Sequence, residues 1–176
     1  MKRDFYVVAD NIRSLENIGS IFRTADAIGV KKIFLCGISG FPPIGEDQST
    51  YLTRKIGARP STQKVLSALV SKTALGAEKT IPFEYHKQVG RLVDKLKKDR
   101  ILVVALEQSK KAISYSKLKP SFPLALIIGN EVKGISKNTL KKADKIIYLP
   151  MKGKKESLNV SVAFGIAGYY IKLTAK

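Results

Sequence analysis

Side chains able to do chemistry gather in three short stretches of the sequence. The first, NIGSIFRTADAIGV (Asn17 to Val30), sets Asn17 and Gly19 at the expected opening of a helix and Arg23 within its first two turns. Free N–H groups at a helix start, with a planar guanidinium nearby, suit a phosphate or a ribose. In the second, LIIGNEVKGIS (Leu126 to Ser136), an apolar strand stops at Gly129, a carboxylate follows at Glu131, and Gly134 lets the chain turn. It lacks the Gly-Lys-Ser/Thr ending of a phosphate-binding loop. The third, LPMKGKKESLN (Leu149 to Asn159), puts Lys152, Lys154 and Lys155 ahead of Ser157 and Asn159. Each stretch alone also reads plainly: a capped helix with one surface arginine, a strand-to-helix turn, a solvated basic loop.

Charge narrows the choice of partner. The 176 residues hold 32 lysines and arginines against 14 aspartates and glutamates, a net charge of +18, and 44% of them are hydrophobic. That length fits one domain with a buried core, and that hydrophobic content argues against disorder. So basic a chain needs a polyanion. RNA or DNA comes before an anionic membrane, because the bases are spread along the chain rather than along one amphipathic helix. Arg54, Lys55 and Arg59 in RKIGAR, with Lys152, Lys154 and Lys155, are the candidate RNA contacts. The lone cysteine, Cys36, forms no internal disulfide, and Lys2 and Arg3 lead into a strand rather than a signal peptide, which points to the cytoplasm.

The elements that must position these residues alternate. Apolar runs at Phe5 to Asp10, Lys32 to Gly37, Ile101 to Glu107, Leu124 to Gly129 and Lys145 to Pro150 predict strands, with a weaker one at Thr80 to Tyr85. Continuous Val/Ile/Leu runs belong to a parallel sheet covered on both faces. Helical patterns lie between them at Ile18 to Ile28, Thr62 to Ser71, Gln88 to Lys98 and Lys137 to Lys142. The rhythm is α/β: a single domain with a mostly parallel sheet and helices on both faces. Gly37 to Asp47 reads as a surface loop. The last segment, Leu158 to Ile171, follows Ser157 as an expected N-cap and carries no charge. It is too short to span a bilayer, so one face is expected on the sheet, while Gly165, Ala167 and Gly168 favour close approach of a second copy on another, the alternative being a helix buried wholly within its own chain.

In order, spacing and wording, the three stretches together resemble the signature motifs of the SpoU/TrmH-like RNA 2′-O-ribose methyltransferases of the SPOUT superfamily. Asn17, Gly19 and Arg23 match the first motif, and Gly129, Glu131 and Gly134 the second. Pro150, Met151, Gly153, Ser157, Leu158, Asn159, Ser161 and Ala163 match the third. Minor departures are Ile28 and the pair Val132 and Lys133, none at a matched functional position. The resemblance implies an α/β fold ending in a C-terminal trefoil knot, an exception to the rule against knots. It also implies a homodimer, and S-adenosylmethionine held by Leu106, Gly129, Leu149, Pro150, Met151 and Leu158. Arg23 would orient the target phosphate and activate the hydroxyl, with Asn17, Glu131, Ser157 and Asn159 positioning it, the ribose or the phosphate. Little chain precedes Phe5, so recognition of transfer or ribosomal RNA is expected to fall to this domain itself.

Methyl transfer to a ribose hydroxyl demands no metal, and the single histidine, His86, has no second His or Cys beside it and reads as a surface loop residue. Cys36 reads as a small buried hydrophobe. Two other functions remain in view: a catalytically silent RNA-binding member of the same fold, and a dinucleotide oxidoreductase. Intact Arg23, Glu131, Ser157 and Asn159 speak against the first. Against the second, the first strand is followed by ADNIRSLENIG, with no Gly-x-Gly-x-x-Gly.

Overall fold

The apolar runs become strands of a parallel sheet. The computed structural model describes residues 3–42 and 68–175. Within them lie β1 (Phe5–Asp10), β2 (Lys32–Cys36), β3 (Phe83–His86), β4 (Leu102–Leu106), β5 (Ile113–Ser114), β6 (Leu124–Ile128) and β7 (Lys145–Tyr148), ordered β3-β2-β1-β6-β4-β7-β5. Every neighbouring pair is parallel. All residues of β6 are buried, as a central strand covered on both faces requires.

Helices cover the two faces. On one, α1 (Leu15–Ala27) and α5 (Val160–Thr174) press Ile18, Ile21, Phe22, Phe164, Ala167 and Ile171 onto Phe5, Val7 and Ala9. On the other, α3 (Val89–Lys98) and α4 (Lys137–Lys142) bring Leu92, Val93, Leu96 and Leu140 against Val8, Val103 and Ala105. A single helical turn, α2 (Ala77–Thr80), precedes β3. The chain leaves β1 through β2 and β3 to one side and returns through β4, β6 and β7 on the other. A crevice is expected at such a reversal, outside the carboxyl ends of the strands.

Several predicted boundaries move, each for a local reason. The first helix does not open at Asn17 and Gly19: it starts at Leu15, where the Ser14 hydroxyl accepts the N–H of Asn17 at 3.1 Å and donates to Glu16 at 2.9 Å. Arg23 therefore falls in the third turn. Likewise the last helix is capped by Asn159, not Ser157, because the Asn159 side chain accepts the N–H of Ser161 at 2.9 Å. Its small-residue face is not free, since Ala167 is fully buried and a Cβ at Gly168 would lie 2.7 Å from Ile28. The weak strand begins at Phe83, after the turn at Ala77–Thr80. It carries His86, which is half-buried, edge-on to Phe34 and 3.3 Å from Glu84, rather than a loop residue. Of the helix predicted at Thr62 to Ser71, the described part runs 68–74, and most of the loop at Gly37 to Asp47 lies outside the described residues. Cys36 is buried, and burial together with the Asp10 charge pushes its thiol pKa up.

Gly19 sits where α1 crosses residues 68–74. A Cβ there would lie 2.0 Å from the Thr73 hydroxyl and 2.3 Å from the Val70 carbonyl. Gly19→Ala gains roughly 0.5–1 kcal/mol of helix preference but forces backbone apart at a cost of about 1–3 kcal/mol. A net loss of stability is expected in urea unfolding; a midpoint at or above that of the parent chain would contradict this packing.

Candidate active site

Three loops meet at the carboxyl ends of β4, β6 and β7. After β6 the chain has no room for a side chain at Gly129, where a Cβ would lie 2.6 Å from Ile135 and 2.7 Å from the Gly134 carbonyl carbon. Asn130 then shapes the turn, its Oδ1 accepting the N–H groups of Val132 (3.0 Å) and Lys133 (2.9 Å), and Gly134 closes it at φ +63°. From the end of β4, Glu107 Oε2 accepts the Ile135 N–H at 2.6 Å, and Gln108 Nε2 donates to the Leu149 carbonyl at 2.9 Å. One dipeptide thus brackets the other two loops. Between them lies a cleft with Leu106, Gly129, Leu149, Met151 and Leu158 among its walls.

Beside the cleft, hydrogen bonds join all three motif stretches. Glu131 accepts Asn17 Nδ2 at 3.0 Å and the backbone N–H groups of Arg13 and Ser14, each at 3.1 Å. Asn17 Oδ1 in turn accepts Asn159 Nδ2 at 3.0 Å, and Asn159 Oδ1 accepts the Ser161 hydroxyl at 2.7 Å. Each amide has its nitrogen and oxygen committed in opposite directions, so the line has one polarity from Ser161 to Glu131. Burial raises the Glu131 pKa, but the Asn17 amide and the N–H groups of Arg13, Glu131 itself and Ser14 outweigh it and hold the carboxyl below its ordinary value.

The predicted site residues divide accordingly. Glu131, Asn17 and Asn159 are brought together, and Ser157 lines the mouth of the cleft. Five of the six predicted cofactor residues line it; Pro150 is exposed beside them. Arg23 lies apart, exposed on α1, in a surface hollow with Ser20, Thr24, Lys72 and Thr73. Lys152, Lys154 and Lys155 are exposed next to the cleft, whereas Arg54, Lys55 and Arg59 lie outside the described residues. Asp10 is buried at the end of β1 and turns to the opposite face of the sheet, where burial raises its pKa against the lowering effect of the Asn11 amide. Sequence reasoning missed Glu107, Gln108 and Asn130; only their position just after strands, where this fold class builds its sites, could have marked them.

The same architecture occurs in known proteins. Residues 48–169 match the SpoU rRNA Methylase family. YacO of Bacillus subtilis (strain 168), assigned to the TrmH family of tRNA/rRNA methyltransferases, is 31% identical over 171 residues, covering 97% of this chain and 59% of its own. The tRNA (guanosine(18)-2′-O)-methyltransferase of Aquifex aeolicus (strain VF5) is 30% identical over 171 residues, covering 96% of this chain and 68% of its own. The chain thus spans 59% of the length of YacO. A solved TrmH/SpoU tRNA modifying enzyme of A. aeolicus superposes with a TM-score of 0.77 at 27% identity, covering 98% of this chain and 76% of that one.

Because the Glu131 carboxyl is depressed in the folded chain, its contribution to stability is fully present above its unfolded pKa, about 4.3, and is lost as pH falls through the lower folded value. Glu131→Gln should therefore lower the thermal midpoint at pH 7 and flatten its fall between about pH 5 and pH 3. Parallel pH curves for the two chains would show that the carboxylate carries none of this linkage.

Proposed function

The chain belongs to the SpoU rRNA Methylase family, and from that premise we propose that it methylates a ribose 2′-hydroxyl of transfer or ribosomal RNA, with S-adenosylmethionine as methyl donor. The observation that supports this most directly is the hydrogen-bonded line from Glu131 through Asn17 to Asn159 at the cleft. The cleft suits the cofactor: Leu106, Leu149 and Leu158 offer apolar walls to a flat base, and main-chain groups beside Gly129 can read its edge. When bound, the sulfonium supplies an activated methyl group.

What remains for the chain is positioning, with the proton that the hydroxyl gives up on methylation passing to water at the exposed mouth beside Ser157. The Glu131 carboxylate already accepts three donors, so its work is to fix Asn17 rather than to take a proton. Asn17 fixes Asn159, and with it the chain just after Ser157, whose hydroxyl at the mouth can hold the ribose. Arg23 lies apart from the cleft in this chain, and the family motif alone supports it as a bidentate clamp on a backbone phosphate. Lys152, Lys154 and Lys155 add phosphate contacts beside the site.

Finer family features extend to this chain in the same reading. A trefoil knot is supported by the strand order, in which β7, the strand leading to α5, lies between β4 and β5, two strands consecutive in the chain. A homodimer is supported by α5 itself, on which Val162, Ile166, Tyr169 and Leu173 form one stripe 39% to 76% exposed. A cytoplasmic location follows from an RNA substrate.

The roles of cofactor and RNA groups separate experimentally. Arg23→Ala should leave S-adenosylmethionine affinity within a few-fold by calorimetry, yet lower single-turnover transfer of labelled methyl to RNA by on the order of a hundredfold, the cost of about 1 Å of misplacement. Leu149→Arg should do the reverse, abolishing cofactor binding while sparing RNA affinity. Near-normal transfer by Arg23→Ala would remove it from the mechanism, and absence of cofactor binding by the parent chain would favour a silent RNA-binding protein.

The association surface has its own check. Val162→Glu with Ile166→Glu places two charges in the exposed stripe without touching the core, and should convert a dimer to a monomer in sedimentation. A parent chain that is itself monomeric at micromolar concentration would end the dimer reading.

A further inference from the structure

On the face of the sheet away from the cleft, a groove runs between α3 and α4. Two hollows adjoin along it and share Asp94 and Lys142 in their walls. Its length is set by the ten residues of α3, about 15 Å at the rise of a helix. Lys142 bonds to Asp94, and Lys97, lining the same groove, pairs with Asp144 at 2.7 Å, so those four charges largely cancel. Lys87, Arg91 and Lys98 also line the groove, and none forms a side-chain hydrogen bond or ion pair among the described residues. Gln88 caps α3 without a side-chain hydrogen bond, which adds the partial positive charge of open N–H groups to the same end.

The position of this groove matters as much as its charge. It ends at Asn11, in the loop joining β1 to α1. The Asn11 carbonyl accepts Asn130 Nδ2 at 2.7 Å, and Asn130 lines the cleft. Two residues further on, Arg13 and Ser14 give their N–H groups to Glu131. One loop therefore has the reaction site on one side and the cationic groove on the other.

We propose that this groove binds the sugar–phosphate backbone of the RNA strand whose ribose occupies the cleft, on the far side of the β1–α1 loop. The inference rests on the RNA methyltransferase reading above. Unpaired cations spaced along a groove match a polyanion's repeating charge. A curved lipid surface would meet only its rims. Arg91 and Lys98 stand two helical turns, about 10 Å, apart on one side of α3, so they can contact separate phosphates of one strand.

The full chain carrying Lys87→Ala, Arg91→Ala and Lys98→Ala is titrated with bulk bacterial transfer RNA across a salt series, and with S-adenosylmethionine by calorimetry. The log–log salt slope should fall by about 2 to 3, and by about 0.7 to 0.9 for Arg91→Ala alone, while cofactor affinity stays within about twofold. The charge-keeping set Lys87→Arg, Arg91→Lys, Lys98→Arg should retain the parent slope. A parent chain with a steep slope that the alanine variants leave unchanged overturns the groove and leaves the methyltransferase standing. A flat slope already present in the parent chain overturns the RNA reading and the groove with it. If binding to phosphatidylglycerol vesicles falls instead and RNA binding does not, the face belongs to a membrane and the proposal is wrong.

Discussion

One carboxylate registers the reaction end of this molecule. Glu131 arises from the loop after β6, but the groups it binds come from the start of α1, from 114 to 118 residues earlier in the chain. Two of those donors are the backbone N–H groups of Arg13 and Ser14, just ahead of the helix, and the third is the Asn17 side-chain amide in its first turn; the helix dipole favours a negative charge there. Glu131 therefore completes the cap that Ser14 begins. A neutral acceptor would satisfy the hydrogen bonds but forgo the charge, which makes such bonds roughly twice as strong. Once it is seated, the direction of the Asn17 amide follows, and so does that of Asn159.

The cleft depends on a different economy of parts, in which backbone shape replaces side-chain chemistry. Gly129 admits the turn to within contact of Ile135 because it has no Cβ, and Gly134 suits its positive φ and leaves room for the Glu107 carboxylate, which a Cβ would meet at 2.3 Å. The Glu107 and Gln108 side chains then hold the neighbouring loops by the main-chain groups of Ile135 and Leu149. The positioning line and the cleft touch at Glu131, which belongs to both.

Legibility in the sequence follows how local each cause is. β1, β4 and β6 were legible because burial on both faces writes an unbroken apolar run, and the α/β class followed. Glu131, Asn17 and Asn159 could be singled out as residues, but not their bonding, since nothing in the spacing says that an amide at 17 meets one at 159. Both misplaced helix starts came from competing caps within three residues: Ser14 against Asn17, Ser157 against Asn159. Which one wins depends on where the preceding loop is anchored, a tertiary matter. β5 is two residues long and pairs only at the sheet edge, too short to leave a period. Glu107 looked like any polar residue closing a strand, because its partner Ile135 is supplied by another loop.

A net charge of +18 leaves one further question: why affinity and chemistry should be carried by separate residues. At physiological salt the field of an exposed lysine decays over about 8 Å, so cations on the α3/α4 face contribute little potential at the cleft. They can raise the residence of a polyanion without altering the reacting ribose. The cluster of Glu131, Asn17 and Asn159 has the opposite character, with the carboxylate and both amides bonded to one another and Ser157 and the cleft walls beside them for a ligand. A site that must hold one hydroxyl in line gains from few, fully committed contacts, because each loose polar group would offer an alternative pose. Diffuse charge and a rigid polar line are therefore complementary, and the loop from Asn11 to Ser14, anchored by Asn130 on one side and Glu131 on the other, is where the two are joined.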